Sequence, residues 1–422
     1  MSSKTALFRT EDLGSGFRVH LHRTKAFKTV TARLVFQANL DDRTAARALV
    51  PRILARGTER LPALRDVQIE LDRLFGAGLS GDTRKAGERQ LVQFRADWIT
   101  DKLAGAPLLD AMGDLLREYV HAPARAADGS LRTGLIEQER KMMADEAAAV
   151  FDDKGRYARH RLLEIMCRDE AYARPSIGRL AEIQAVTPAA VENAYADLVE
   201  RAPADLFLVG DLTWAQAKSF GKKLGLHRGR RPRRLKRTAR RAAGRPHTVT
   251  ERQEVGQAKL AMGFRTSVTL ESPLYPGLII MNALFGGLPT GKLFKVVREQ
   301  ASLCYSIHSM TERAKGLVLV AAGIDADNYT KARRMTLAQL AALQAGKIED
   351  AELAMAKGTL LSSLFSLRDA PHGVIDFALD RAIHGIPADL ESLLAQLEAV
   401  TVKDVARAAR TVELDTVFLL RK

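Results

Sequence analysis

Few residues of this 422-residue sequence stand at spacings that suit catalysis. Metal-dependent hydrolysis on a helix needs two imidazoles at i and i+4, which share one face, and a glutamate beside them to polarise the bound water. Neither H-x-x-E-H nor H-E-x-x-H occurs anywhere in the chain. His20 and His22 are two apart on an expected strand and share its face, but no second imidazole or acidic cluster accompanies them. Glu139 and Glu146 lie seven residues apart in the helical stretch from Arg132 to Ala149. Seven residues make two turns, so both carboxylates point the same way; taken alone they read as a charged face. Gly286, Gly287 and Gly291 lack the Lys-Ser/Thr ending of a phosphate loop.

The elements that must position these residues follow from composition and pattern. Apolar residues make up 46% and charged residues 27%, which is ordinary globular usage, and the length suits two to four domains. No run of eighteen apolar residues predicts a membrane span. The start, MSSKTALFRTEDLGSGF, has no apolar core of a signal peptide, and two cysteines, Cys167 and Cys304, make no disulfide framework. These features together predict a cytoplasmic location. The net charge of +15 would suit a nucleic-acid binder, but ten of the Lys and Arg residues fall between Arg228 and Arg245 with no acid among them. Removing those ten leaves +5. The segment reads as a solvated linker, and as a nucleic-acid arm in the alternative.

That basic segment divides a duplication. Ile183–Val191 contains Ala-Val-Thr and is followed by Asp205-Leu-Phe-Leu-Val209. Leu397–Val405 contains Ala-Val-Thr again, 214 residues on, and is followed by Thr416-Val-Phe-Leu-Leu420. In each copy Thr caps a helix that leads to a short buried strand. Strands at Phe17–Leu21, Ala32–Ala38, Gln90–Phe94, Ala258–Phe264 and Leu317–Gly323 interleave with helices at Asp101–Tyr119 and Tyr329–Leu343. The expected fold is α+β: two homologous domains, residues 1–225 and 248–422, joined by a linker at 226–247. Each is a mixed, mainly antiparallel sheet with helices packed on one face.

Ala48–Thr58, ALVPRILARGT, opens a helical pattern after the Ala32–Ala38 strand. It resembles the helix of the insulinase or pitrilysin family, the inverzincins, which reads H-x-x-E-H and then Gly-Thr after four residues. Here Gly57-Thr58 stands in frame, but the three chemical positions are Ala48, Pro51 and Arg52. Ala48 has no donor atom, Pro51 accepts no proton, and Arg52 repels a dication. Glu146 matches the family's third zinc ligand and Glu139 its outer carboxylate. Further on, Met281–Gly287, Gly291-Lys-Leu-Phe294, Val297-Arg-Glu299 and Leu303-Cys-Tyr305 follow the family's order, with Arg298 and Tyr305 on the marks of its substrate-holding Arg/Tyr pair. Thr24–Thr29 and Leu71–Ala77 look like the bacterial YmfF-like group, in which a subunit without the motif pairs with a sister that has it.

The resemblance implies a clamshell with zinc on one wall and the Arg/Tyr pair on the facing one. It implies no cofactor on this chain, zinc on a partner subunit with an intact H-x-x-E-H, and a peptide substrate. The expected function is a non-catalytic, peptide-binding subunit of a heterodimeric zinc endopeptidase. The alternatives are an inert scaffold of the same fold, or a nucleic-acid-associated protein that uses the basic linker. Arg52 is expected close to Glu139 or Glu146, because unpaired buried carboxylates are costly.

Overall fold

The computed structural model describes residues 6–226 and 231–422. The first sheet comprises β1 (Arg9–Gly14), β2 (Phe17–Arg23), β3 (Thr29–Asn39), β4 (Gly78–Ala86), β5 (Arg89–Ile99) and β6 (Ala204–Gly210), in the order β1-β2-β6-β3-β5-β4. The second comprises β7 (His247–Arg252), β8 (Ala258–Arg265), β9 (Cys304–Glu312), β10 (Leu317–Ile324) and β11 (Glu413–Arg421), in the order β7-β11-β8-β10-β9. Without β1, the two orders are the same. In both, one pair is parallel (β2 with β6, β7 with β11) and the others are antiparallel. The duplicated Ala-Val-Thr segments also match in detail. Thr187 Oγ1 accepts from the Ala190 amide, and Thr401 Oγ1 from the Asp404 amide, so each caps the helix leading to the last strand of its sheet.

Alternation along β3 shows how each sheet is covered. Ala32, Leu34 and Phe36 enter the core formed with helices of their own half, including α1 (Thr44–Leu54) and α2 (Thr133–Ala149). Val35 points the other way, and successive side chains of a strand must do so. That opposite face is covered by a helix from the other half. The helices concerned are α3 (Lys154–Met166) and α4 (Pro371–His384), which occupy equivalent places in the duplication and are exchanged. Val374, Ile375, Ala378, Leu379 and Ile383 of α4 pack on Val35, Leu91, Phe207 and Val209 of the first sheet. Ala158, Leu162 and Met166 of α3 pack on Ala261, Leu317, Leu319, Phe418 and Leu420 of the second. Gly263 permits this closeness: a Cβ there would stand 2.5 Å from Met166 Sδ.

Charge reinforces the exchange. Arg33, buried in β3, pairs with Asp376 of α4, and Arg84 of β4 reaches Asp380 at 3.2 Å. At the other crossing Glu170 accepts from Arg265 at 2.7 Å and pairs with Lys315 at 2.5 Å. Lys315 also holds Glu88 of the first half at 2.6 Å.

Two local expectations differ from the structure. The stretch from Asp101 to Tyr119 is two helices, Asp101–Ala104 and Leu108–His121. Gly105 ends the first in a left-handed conformation (φ 65°), and Pro107 then begins a new one. The described part of the basic linker, from residue 231 on, is extended and largely exposed, but it is also fastened to both halves. Arg233 N donates to Arg201 O, Lys236 N to Asn39 Oδ1, and Arg240 pairs with Glu271 at 2.8 Å. Residues 227–230 of that linker lie outside the described residues. Among the described residues no helix is long and apolar enough to cross a membrane.

Candidate functional site

The residues singled out in the sequence gather at two places. At the first, α1 packs against α2. Ala48 is 1% exposed and belongs to the core. Pro51 lies inside the helix, which continues to Leu54. Proline there removes one helical hydrogen bond, and the space its ring needs comes from Gly81 of β4, where a Cβ would meet Pro51 Cβ at 2.8 Å. Arg52 Nη2 donates to Glu146 Oε2. One turn on, Arg56 Nε donates to Glu139 Oε1 at 2.6 Å, and its Nη2 lies 3.7 Å from Met142 Sδ. Glu139 is buried, while Glu146 is half exposed.

Two arginines at i and i+4 thus meet two glutamates at i and i+7. The arrangement does not fit a zinc ion: the position of Ala48 supplies no donor, and the position of Arg52 supplies a cation already bound to the carboxylate that would be a ligand. Among the described residues no three His, Cys, Asp or Glu side chains converge as a metal site. Sequence reading missed Arg56. The signal was there, since it follows Arg52 by four residues on the same face. A cavity of about 900 Å³ opens beside Glu146, with Tyr157, His160 and Arg161 of α3 on its wall.

The second place is the end of the second sheet. The segment Leu293–Gln300 forms a wide, π-type helix that carries Arg298 in its last turn. The chain reverses through Ser302, which is left-handed at φ 51°, with Ser302 N bonded to Arg298 O and Leu303 N to Val297 O. This return starts β9 at Cys304 and sets Tyr305 beside Arg298. The guanidinium carbon lies 4.3 Å from the Phe294 ring centroid and 5.9 Å from that of Tyr305. Tyr305 is 79% exposed, and Arg298 has no carboxylate partner among the described residues; neither Glu299 nor Asp327 pairs with it. Burial pushes the adjacent Cys304 thiol up, and the Arg298 charge pulls it the other way. β9 is an edge strand, with β10 on one side and, among the described residues, no strand on the other.

The remaining candidates have structural partners. His20 Nε2 meets Asp205 at 2.9 Å, its Nδ1 meets Thr10 Oγ1 at 2.8 Å, and its ring stacks on Phe207. His22 Nδ1 donates to the Leu7 carbonyl. His308 lines a small cavity with Arg159 of α3, where burial and then the Arg159 charge push its imidazole pKa down. Gly286 and Gly291 pack against Leu293 and Ala283 in the turn before the π-type helix. Cys167 and Cys304 are free.

A duplicated α+β domain whose helices cross between halves, with a closed-off α1–α2 locus and an open Arg/Tyr pair, defines a peptidase-like two-domain protein. The family model described as "Peptidase M16 inactive domain" matches residues 185–360. The probable inactive metalloprotease YmfF of Bacillus subtilis (strain 168) is 32% identical over 409 residues, 96% of each chain. An uncharacterized zinc protease of Mycobacterium tuberculosis is 26% identical over 307 residues, 70% of this chain and 68% of its own. A conserved protein from Enterococcus faecalis V583 has the same fold, with a TM-score of 0.90 over 99% of both chains at 24% identity. The chain belongs to the peptidase M16 family, the insulinase or pitrilysin group of the sequence analysis.

Proposed function

We propose that this chain is the zinc-free, substrate-holding subunit of a two-subunit M16 endopeptidase. One observation carries the reading: Arg298 and Tyr305 stand together, open to an incoming molecule and unclaimed by any carboxylate, while the α1–α2 locus has its own charges paired off. The relative described as a probable inactive metalloprotease supports the loss of the metal centre. The zinc, its water and the general base then come from a partner subunit with an intact H-x-x-E-H. Peptide is the substrate class. The free edge of β9 offers main-chain hydrogen bonds to an extended peptide, right where Tyr305 projects. The Tyr305 hydroxyl donates to the scissile carbonyl as it becomes an oxyanion, and Arg298 holds a neighbouring carbonyl or carboxylate. Such a complex would work in the cytoplasm.

The test is reconstitution with the M16 subunit of the same source that carries H-x-x-E-H, read by peptide cleavage and by sizing of the complex. The mixture should cleave where neither chain alone does. Robust cleavage by this chain alone would sink the reading. An intact complex in which the Arg298→Ala/Tyr305→Phe double variant keeps the full rate would turn it into that of a scaffold.

A further inference from the structure

The basic linker is not absorbed by the peptidase reading, and it forms the wall of a second cavity. This cavity, of about 860 Å³, lies where the linker crosses the junction of the two halves, away from both loci described above. Its charged lining is Arg18 of β2, Arg89 at the start of β5, Arg237 and Arg240 of the linker, Glu271, and His384 at the end of α4. Four guanidinium groups therefore face one carboxylate.

The pairing among them is incomplete. Arg18 Nε is matched by buried Asp205 at 2.7 Å. Glu271 is shared between Arg240 at 2.8 Å, Arg237 at 3.8 Å and His384 Nδ1 at 3.3 Å. Arg89 meets only neutral acceptors, Gln37 Oε1 at 2.9 Å and the Ile383 carbonyl at 2.7 Å, and has no carboxylate partner among the described residues. Burial, and next the Arg18 charge, work against its charged form, while Asp205 and Glu271 favour it from beyond ion-pair distance. The His384 side chain is nine-tenths buried, and its Nε2 has no hydrogen-bond partner. A half-buried guanidinium without a direct ion-pair partner is expensive. An anion in the cavity would give Arg89 an ion-pair partner.

We propose that this cavity binds a small phosphorylated ligand. Guanidinium forks match the tetrahedral, multiply charged phosphoryl group, and Arg89, Arg237, Arg240 and Arg18 converge on one space from three segments. The volume suits a ligand of one to several phosphoryl groups with a modest organic body. No aromatic side chain other than the His384 ring lines it, so recognition rests on charge and not on stacking. Because the linker supplies one wall and each half another, ligand binding would fasten the linker across the junction.

The experiment is calorimetric titration of the full chain with inorganic phosphate, pyrophosphate, tripolyphosphate and magnesium-free ATP, with citrate as the carboxylate control. Affinity should rise with the number of phosphoryl groups and exceed that for citrate. Arg89→Gln should weaken tripolyphosphate binding by about tenfold or more, and Arg240→Ala by several-fold. Glu271→Gln should tighten it several-fold, a gain that misfolding cannot produce. Citrate binding as well as tripolyphosphate would overturn the phosphoryl assignment. Affinity unchanged in Arg89→Gln and Glu271→Gln would remove the cavity from the account. Binding of a single-stranded RNA alone, with no small phosphate bound, would do the same, since it would place the interaction on the exposed linker arginines.

Discussion

Arg52 and Arg298 are both partly exposed arginines of a helix, one in each half, and their surroundings are opposite. Arg52 reaches across to Glu146, and its neighbour Arg56 reaches Glu139, so every charge at the α1–α2 contact is answered. Arg298 lies over Phe294 and Tyr305 and answers to no carboxylate among the described residues. A cation of that kind stays tolerable because it is in reach of water and has aromatic faces beside it. Tyr305 likewise leaves most of its ring outside the core. The contrast teaches how to tell a closed site from a waiting one. Buried carboxylates are stabilised when cations pair with them, and under the proposed function Arg298 and Tyr305 are unpaired because an incoming peptide is their partner.

The sharpest way to break the comparison is at Tyr305. In the reconstituted complex Tyr305→Phe should cost roughly 2–4 kcal/mol of transition-state stabilisation, about 10²–10³ in kcat/KM. The lone chain should unfold in urea as the wild type does, because the hydroxyl touches nothing that holds the fold. A stability loss equal to the activity loss would mark Tyr305 as structural. At the closed site the effect should fall on stability. Arg56→Ala leaves Glu139 buried without a counter-charge; for a partner that is itself partly exposed, a loss of about 2–3 kcal/mol in urea unfolding is expected. Restoring the wild-type value with Arg56→Ala/Glu139→Gln would show that the cost came from the stranded charge. Arg298→Ala should leave stability within about 0.5 kcal/mol and raise KM more than it lowers kcat.

The junction between the halves gives a smaller, pH-dependent effect. Burial pushes the Glu170 carboxyl up, but the hydrogen bond from Arg265 and the ion pair with Lys315 outweigh it and hold the carboxyl below its ordinary value. A depressed folded-state pKa means that the unfolded chain takes up the proton first as pH falls. The stability from this group is therefore complete above an unfolded value of 4.5 and is lost as pH falls through the lower folded one. Urea unfolding between pH 6 and pH 3 (about the carboxylate range) should show a slope that Glu170→Gln flattens. An unchanged slope would assign the acid sensitivity to other carboxylates, Asp205 among them.

Much of this was legible in the sequence, and the reason is local. The repeated Ala-Val-Thr, the capping threonines and the buried strands Asp205–Val209 and Thr416–Leu420 rest on propensity and alternation, which act over a few residues. Arg298 and Tyr305 could be marked because a resemblance fixed their register, and the turn through Ser302 turned that register into proximity. The exchange of α3 and α4 could not be read. Both helices are amphipathic, and periodicity shows that a face is apolar without saying which sheet it covers. The fastening of the linker was hidden for a similar reason: ten cations predict solvent exposure, while Asn39, Glu88 and Glu271, which hold the segment, are scattered along the chain. Arg56 was overlooked although its spacing from Arg52 announced it.

The smallest effect is the one expected at Arg52 itself. Its partner Glu146 is 54% exposed in its side chain, and the arginine is 25% exposed. An ion pair in such a place trades hydration for a modest Coulomb gain and is screened by salt. Arg52→Ala should therefore cost no more than about 1 kcal/mol, and a double-mutant cycle with Glu146→Gln should give a coupling that shrinks as salt is raised. Arg52→Glu should cost a little more than Arg52→Ala, by placing a like charge against Glu146. If Arg52→Ala instead cost as much as Arg56→Ala, the two arginines would form one buried network and the closure of the α1–α2 locus would be a single cooperative unit. If it cost nothing and Arg52→Glu were equally neutral, the Arg52–Glu146 contact would contribute no closure, and the counter-charge at this locus would rest on Arg56 and Glu139 alone.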